Sequence, residues 1–163
     1  MTGQPDDQQL WAALVAAERE RSRRRAEFFH HARARTDTIA SALAGNAWDQ
    51  SVALAFLAAL PDDVPAVFDR LLELSLSHAW AFTARQAIAP AWRAGGLAEL
   101  PQKVISRLDH ADADEYRRLA ELLEHIQARD TLRELVRRAK ASADPQVREV
   151  ADDFAEPRRS SSG

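Results

Sequence analysis

Apolar residues recur every three or four positions along almost the whole chain, and no window alternates over several residues, so the pattern predicts helices and no strands. Turn-forming clusters divide it: Gly45 with Asn46, Pro61 to Pro65, Gly95 with Gly96, Asp109 to Asp114, Ala128 to Asp130, and Ser142 to Pro145. The segments between them are of ordinary length for packed helices. Upstream, Asp6 to Ala44 contains neither Gly nor Pro and reads as two helices with a break near Thr36 to Thr38. Downstream of Phe154, the stretch 157–163 has nothing apolar to bury and is expected to be a disordered tail. Within it, Arg158-Arg159-Ser160-Ser161 has the form of a basic-directed phosphorylation site.

The pattern also repeats. Asn46-Ala47-Trp48, His78-Ala79-Trp80, His110-Ala111-Asp112 and Ser142-Ala143-Asp144 start at positions 46, 78, 110 and 142, a constant offset of 32. The same offset aligns Phe68, Leu100 and Leu132 in one column and Leu72, Val104 and Val136 in another, one helical turn away. In the preceding helices it aligns Ala55 with Ala87 and Leu119, Phe56 with Ile88 and Ala120, and Ala59 with Ala91 and Leu123. Every member is apolar, as expected of helix pairs that cannot bury their own apolar faces and must stack to share a core.

Asp144-Pro145-Gln146-Val147-Arg148-Glu149-Val150-Ala151 resembles the start of the first helix of a HEAT repeat, and Asp62-Asp63-Val64-Pro65-Ala66-Val67-Phe68 resembles the turn into its second helix. Asp144 suits an N-cap and Pro145 the first helical position, where its missing donor costs nothing. Asp112 with Glu115 has the spacing of a capping box. The resemblance covers about residues 46–155 and implies an all-α fold: a short right-handed α-solenoid of about three and a half HEAT-like hairpins. Two features depart from it. The period of 32 is short beside the roughly 40 to 47 of HEAT units, and Pro90 falls inside a predicted first helix, where it should kink or end it. Residues 1–45 show no repeat and are read as an N-terminal helical cap, with Trp11, Leu14, Val15, Phe28, Phe29, Ile39 and Leu43 covering the first pair. Residues 46–156 form the array, and the helix from Asp144 closes its other end.

Composition narrows the chemistry. The 163 residues are 46% apolar and 29% charged with a net charge of -3, as in an ordinary globular domain. With no cysteine there is no disulfide and no thiolate chemistry. The longest apolar run, Val52 to Leu60, is far shorter than the ~20 residues that span a bilayer, and the N-terminus opens polar. A cytoplasmic protein is expected, with no membrane partner. Arginine outnumbers lysine 20 to 2 and alanine is abundant, a bias of GC-rich bacterial genomes, so part of the arginine content reflects codon usage.

Candidate sites are few. Between Arg19 and Arg35 there are seven Arg and two Glu, a local charge of +5. Arg21, Arg24 and Arg25 are candidates for phosphate or an acidic partner, set against the plainer reading of a solvated helix face. A nucleic-acid reader needs such charge continued along a surface, whereas residues 46–78 carry five acids against Arg70 alone. Asp109 to Glu115 places His110 among four carboxylates, which helix capping explains better than a metal. His30 and His31 lack the His-Glu-x-x-His arrangement of a metal site. Trp48 and Trp80 occupy equivalent positions and read as buried wedges, each worth ~3 to 5 kcal/mol on truncation to Ala. Trp92, beside the Gly95-Gly96 turn, reads as an exposed anchor for a partner.

No catalytic motif stands out, so neither enzymatic activity nor a cofactor or metal is expected. The sequence points to a protein-protein interaction scaffold or regulatory adaptor. By analogy with HEAT arrays, its partner contacts fall beside the apolar columns of the second helices: Arg70, Glu73, Lys103, Arg107, Arg133 and Arg137. A phosphate-binding helical-repeat protein, including one similar to HEAT-like DNA glycosylases, is the alternative. An immunity or inhibitor subunit of a partner enzyme is a third reading.

Overall fold

A computed structural model describes residues 6–155, and the predicted tail and its serines lie outside them. Among the described residues there are nine α-helices and no strand: α1 (Asp7–His31), α2 (Arg35–Leu43), α3 (Ala47–Ala59), α4 (Phe68–Leu76), α5 (Ala81–Arg93), α6 (Leu100–Arg107), α7 (Ala113–His125), α8 (Arg129–Lys140) and α9 (Pro145–Phe154). Two 3-10 turns, Pro61–Asp63 and Pro65–Val67, lead into α4.

Side-chain caps start four of the nine described helices, three of them where the sequence places turns. Asn46 accepts from the backbone of Trp48 and Asp49, Asp112 from that of Glu115, and Asp144 from that of Gln146. Ser77 performs the equivalent role before α5, donating to Leu74 O and accepting from Trp80 N. The odd-numbered helices from α3 onward thus begin at positions 47, 81, 113 and 145, close to the interval read from sequence. Helix ends repeat as well. Gly95 and Gln127, equivalent positions in successive units, both adopt positive φ, 77° and 60°. Beyond each, a backbone N–H returns to an orphan carbonyl, Gly96 to Ala91 and Ala128 to Leu123, which ends the helix in a left-handed cap. Pro90 does not break its helix: α5 runs through it and stops at Arg93. So near the C-terminus, the proline removes only one of the last backbone bonds.

Packing follows chain order. α2 lies on α3, α3 on α5, α5 on α7 and α7 on α9; α4 packs on α5 and α7, and α8 on α6, α7 and α9. One continuous core results, from Ile39 through Leu57, Phe68, Ile88, Leu100, Leu119 and Leu135 to Val150. The columns read from sequence are buried in the middle of the chain. Phe56, Ile88 and Ala120 are all buried, as are Phe68 with Leu100 and Leu72 with Val104. At the ends they open: Leu132 and Val136 are half-buried, and Ala55 and Ala59 are exposed.

Ion pairs tie neighbouring units together. Lys103 reaches Asp69, and Arg107 reaches Glu73 at 2.5 Å, so α6 is laced to α4 by two pairs with the same sequence separation of 34. Arg85 with Glu121 at 2.8 Å and Arg117 with Asp153 at 2.7 Å join α5 to α7 and α7 to α9.

The N-terminal region differs from the expected cap. The chain breaks at 32–34, earlier than Thr36 to Thr38, because Arg35 and Thr36 are held by Asp63, a carboxylate with only 6% of its surface exposed. Arg35 Nε donates to Asp63 Oδ2 at 2.5 Å, its Nη1 to Phe29 O at 2.7 Å, and Thr36 Oγ1 to Asp63 Oδ1 at 2.7 Å. The guanidinium also lies 4.5 Å over the Phe29 ring. Phe28, Phe29, Ile39 and Leu43 do cover the first helices, but no residue of α1 is buried, and Trp11 is 66% exposed with Leu10 and Leu14 similarly open. Trp48 is not a wedge; it is 82% exposed. Trp80, at the equivalent position in α5, is half-buried against the core. Trp92 also packs against the core rather than standing free.

Three measurements check this arrangement. Chemical denaturation of Trp48→Ala should show a loss below about 1 kcal/mol, the level of an exposed site. Gln127→Gly should raise stability by up to ~1 kcal/mol by relieving a left-handed non-glycine residue, and Gly95→Ala should lower it by a similar amount. Burial pushes the Asp63 carboxyl up, but hydrogen bonds from Arg35 and Thr36 outweigh it and hold the group below its ordinary value. Its contribution is therefore present above about pH 4, the unfolded value, and is lost as pH falls through the lower folded value. Asp63→Ala should cost about 3 kcal/mol at pH 7 by stranding the Arg35 charge, and its deficit relative to the unmodified protein should shrink in acid.

Candidate functional site

At the C-terminal end of the described residues α7, α8 and α9 meet in an open groove of about 840 Å³. Its floor is Leu123, Leu132, Val136 and Phe154. Its rim on α8 is basic: Arg129, Arg133, Arg137 and Lys140 follow one another at intervals of four, four and three and so run along one face of the helix. Glu124, Gln127, Asp153 and Ala155 complete the lining. Leu132 and Val136 stand in the columns that are closed over at Phe68 and Leu100 and at Leu72 and Val104, and after α9 the described chain offers nothing to close them.

Charge in the groove is partly committed and partly free. Arg117 holds Asp153. Arg133 pairs with Asp130, and Arg137 grips Glu134 through two bonds of 2.6 and 2.7 Å. Hydrogen bonds from Arg137 and then Arg138 draw the Glu134 carboxyl down to about 2, so it stays ionised throughout the neutral range. These are exposed pairs within one helix, of small energetic value, and they leave both guanidinium groups open to a further anion. Arg129 and Lys140 have no ion pair among the described residues. Of the four cations, Arg133 and Arg137 are matched by Asp130 and Glu134, so Arg129 and Lys140 supply the unmatched positive charge beside the apolar floor.

Of the residues singled out from sequence, Arg133 and Arg137 come together here. The others lie elsewhere. Glu73, Lys103 and Arg107 are held in the bridges between α4 and α6, Arg107 also meeting Glu115 at 2.7 Å. Arg70 donates to Leu43 O and closes the end of α2. Of the basic segment in α1, Arg21 pairs with Glu18, and Arg24 with Glu20 and Glu27, in a surface ladder. Arg25 is half-buried with no ion pair among the described residues. The carboxylates around His110 are each accounted for: Asp109 by Arg138, Asp112 by its helix start, Asp114 by Arg118 and Glu115 by Arg107. No group of His, Asp and Glu suited to a metal occurs among the described residues, and no described helix is long and apolar enough to cross a membrane.

Arg129, Lys140, Leu132, Val136 and Phe154 are the groove residues that the charge pattern did not select. Part of the signal was present in the repeat itself: Leu132 and Val136 stand in its apolar columns, and among the described residues they are half-buried. No family model matches the chain, and the comparisons with curated proteins and with solved structures likewise return no match.

Proposed function

We propose that this chain is a protein-interaction scaffold: a short α-solenoid of HEAT-like hairpins, without catalytic function, whose open C-terminal groove receives an acidic amphipathic helix of another protein. The solenoid reading is supported by helix starts recurring at positions 47, 81, 113 and 145, by left-handed caps at the equivalent positions Gly95 and Gln127, and by inter-unit ion pairs at sequence separations of 34 and 36. In such an array each unit buries the face of the one before, and among the described residues Leu132 and Val136 remain half-buried.

The observation that carries the functional reading is the combination in that groove of an apolar floor, Leu132, Val136 and Phe154, with a basic rim, Arg129, Arg133, Arg137 and Lys140. An amphipathic helix laid in a groove offers apolar anchors to such a floor and carboxylates to such a rim. A phosphate backbone satisfies the rim and leaves the floor unfilled. Elsewhere the cations of the second helices are already engaged by Asp69, Glu73 and Glu115, so no continuous basic track runs along them.

Affinity capture from an extract of the native host, comparing the unmodified chain with the double variant Arg133→Glu and Arg137→Glu, tests the assignment. A protein retained by the former and lost by the latter, with unchanged circular dichroism, is the expected result. Retention by both moves the partner off the groove. Binding to duplex DNA at low salt that weakens by ~0.9 log units per log salt for each phosphate contacted would replace a protein partner by nucleic acid.

A further inference from the structure

The opposite end of the molecule carries two apolar surfaces that lack a partner. On α3, Trp48, Val52, Ala55 and Ala59 form an exposed stripe at intervals of four, three and four. At the equivalent positions one unit on, in α5, Ala84, Ala87 and Ala91 are buried and Trp80 is half-buried. The α3 stripe is therefore shaped for a helix. Beside it Phe28, Ile39, Ala42, Trp48, Val52 and Phe56 line an apolar groove of about 280 Å³. The second surface is on α1, where Leu10, Trp11, Leu14 and Val15 form an apolar stripe that touches no core.

The two cannot meet within one chain. α1 is continuous from Asp7 to His31, which puts Trp11 about 26 Å along its axis from Phe28 at the mouth of the groove. They can meet between chains. Leu10 and Phe28 are separated by five full helical turns and so lie on the same side of α1. Two α1 helices laid antiparallel along that side bring each apolar stripe to the other copy's groove, twice, about one two-fold axis, as a self-complementary interface requires. The charges demand the same orientation. Residues 6–18 hold Asp6, Asp7 and Glu18 and no cation, whereas 19–35 carry a net +5. Antiparallel pairing sets the acidic half of each helix beside the basic half of the other, and parallel pairing sets like on like.

We propose that α1 is a dimerisation arm: its N-terminal turns dock in the Phe28, Trp48 and Val52 groove of a second copy of this chain, reciprocally, completing the helix layer that starts at α3. The assignment concerns the end of the molecule away from the Arg133 and Arg137 groove and stands apart from it.

Sedimentation equilibrium on the full chain should show a dimer at micromolar concentration. Trp11→Asp and Trp48→Asp should each weaken it at least tenfold while leaving the circular dichroism of the dilute monomer unchanged, since both side chains are exposed in the single chain. Arg133→Glu with Arg137→Glu should leave it intact, which separates this proposal from the partner groove. Because the chain has no cysteine, mixing a Leu10→Cys chain with a Val52→Cys chain under oxidation should yield a cross-linked heterodimer, and neither variant alone should cross-link comparably. A chain that stays monomeric well above micromolar concentration, or a dimer indifferent to both tryptophan substitutions, overturns the proposal.

Discussion

The Arg35–Asp63 pair governs how the N-terminal third of the chain meets the rest. A carboxylate this buried is tolerated only when matched, and here a guanidinium and a hydroxyl use both of its oxygens. The same guanidinium closes the end of α1 through Phe29 O, where a cation also suits the helix dipole. One side chain thus ends α1, starts α2 and fastens both to the turn that precedes α4. Little else bears on α1 besides Phe28 and Phe29, so the direction of this long helix is decided at its last turn.

Beyond that junction, stability comes from neighbours. α3, α5, α7 and α9 pack on one another in turn, and ion pairs join α4 to α6, α5 to α7 and α7 to α9. Such pairs are individually weak where exposed. Their placement matters more than their strength, because it consumes the charges flanking the core and leaves the ends of the molecule, the α8 groove and the α1 and α3 stripes, with open binding chemistry.

The all-α fold, the turns and most of the core were legible in the chain, since periodicity and capping chemistry are local and Asn46, Asp112 and Asp144 act through residues two or three positions away. What was not legible depended on who stands next to whom. Trp48 and Trp80 occupy the same place in the pattern, but a repeat establishes equivalence of position and not the presence of a neighbour. Lys103 and Arg107 look like free cations beside an apolar column; their partners Asp69 and Glu73 belong to the preceding hairpin, a full unit earlier in the chain. In the candidate groove, the cations Arg133 and Arg137 were visible as charges, whereas Leu132 and Val136 read as ordinary core.

The exposed ladder along α1, in which Glu18, Glu20 and Glu27 alternate with Arg21, Arg23 and Arg24, has a consequence for motion. In a lone protomer the first four turns of this helix have no tertiary contact to protect them, so they fray as a free peptide does and their amide hydrogens exchange through local opening, fastest at the tip. The amides of α5 and α7, enclosed on both sides, exchange only when the whole domain opens. The described chain therefore carries two kinetic regimes.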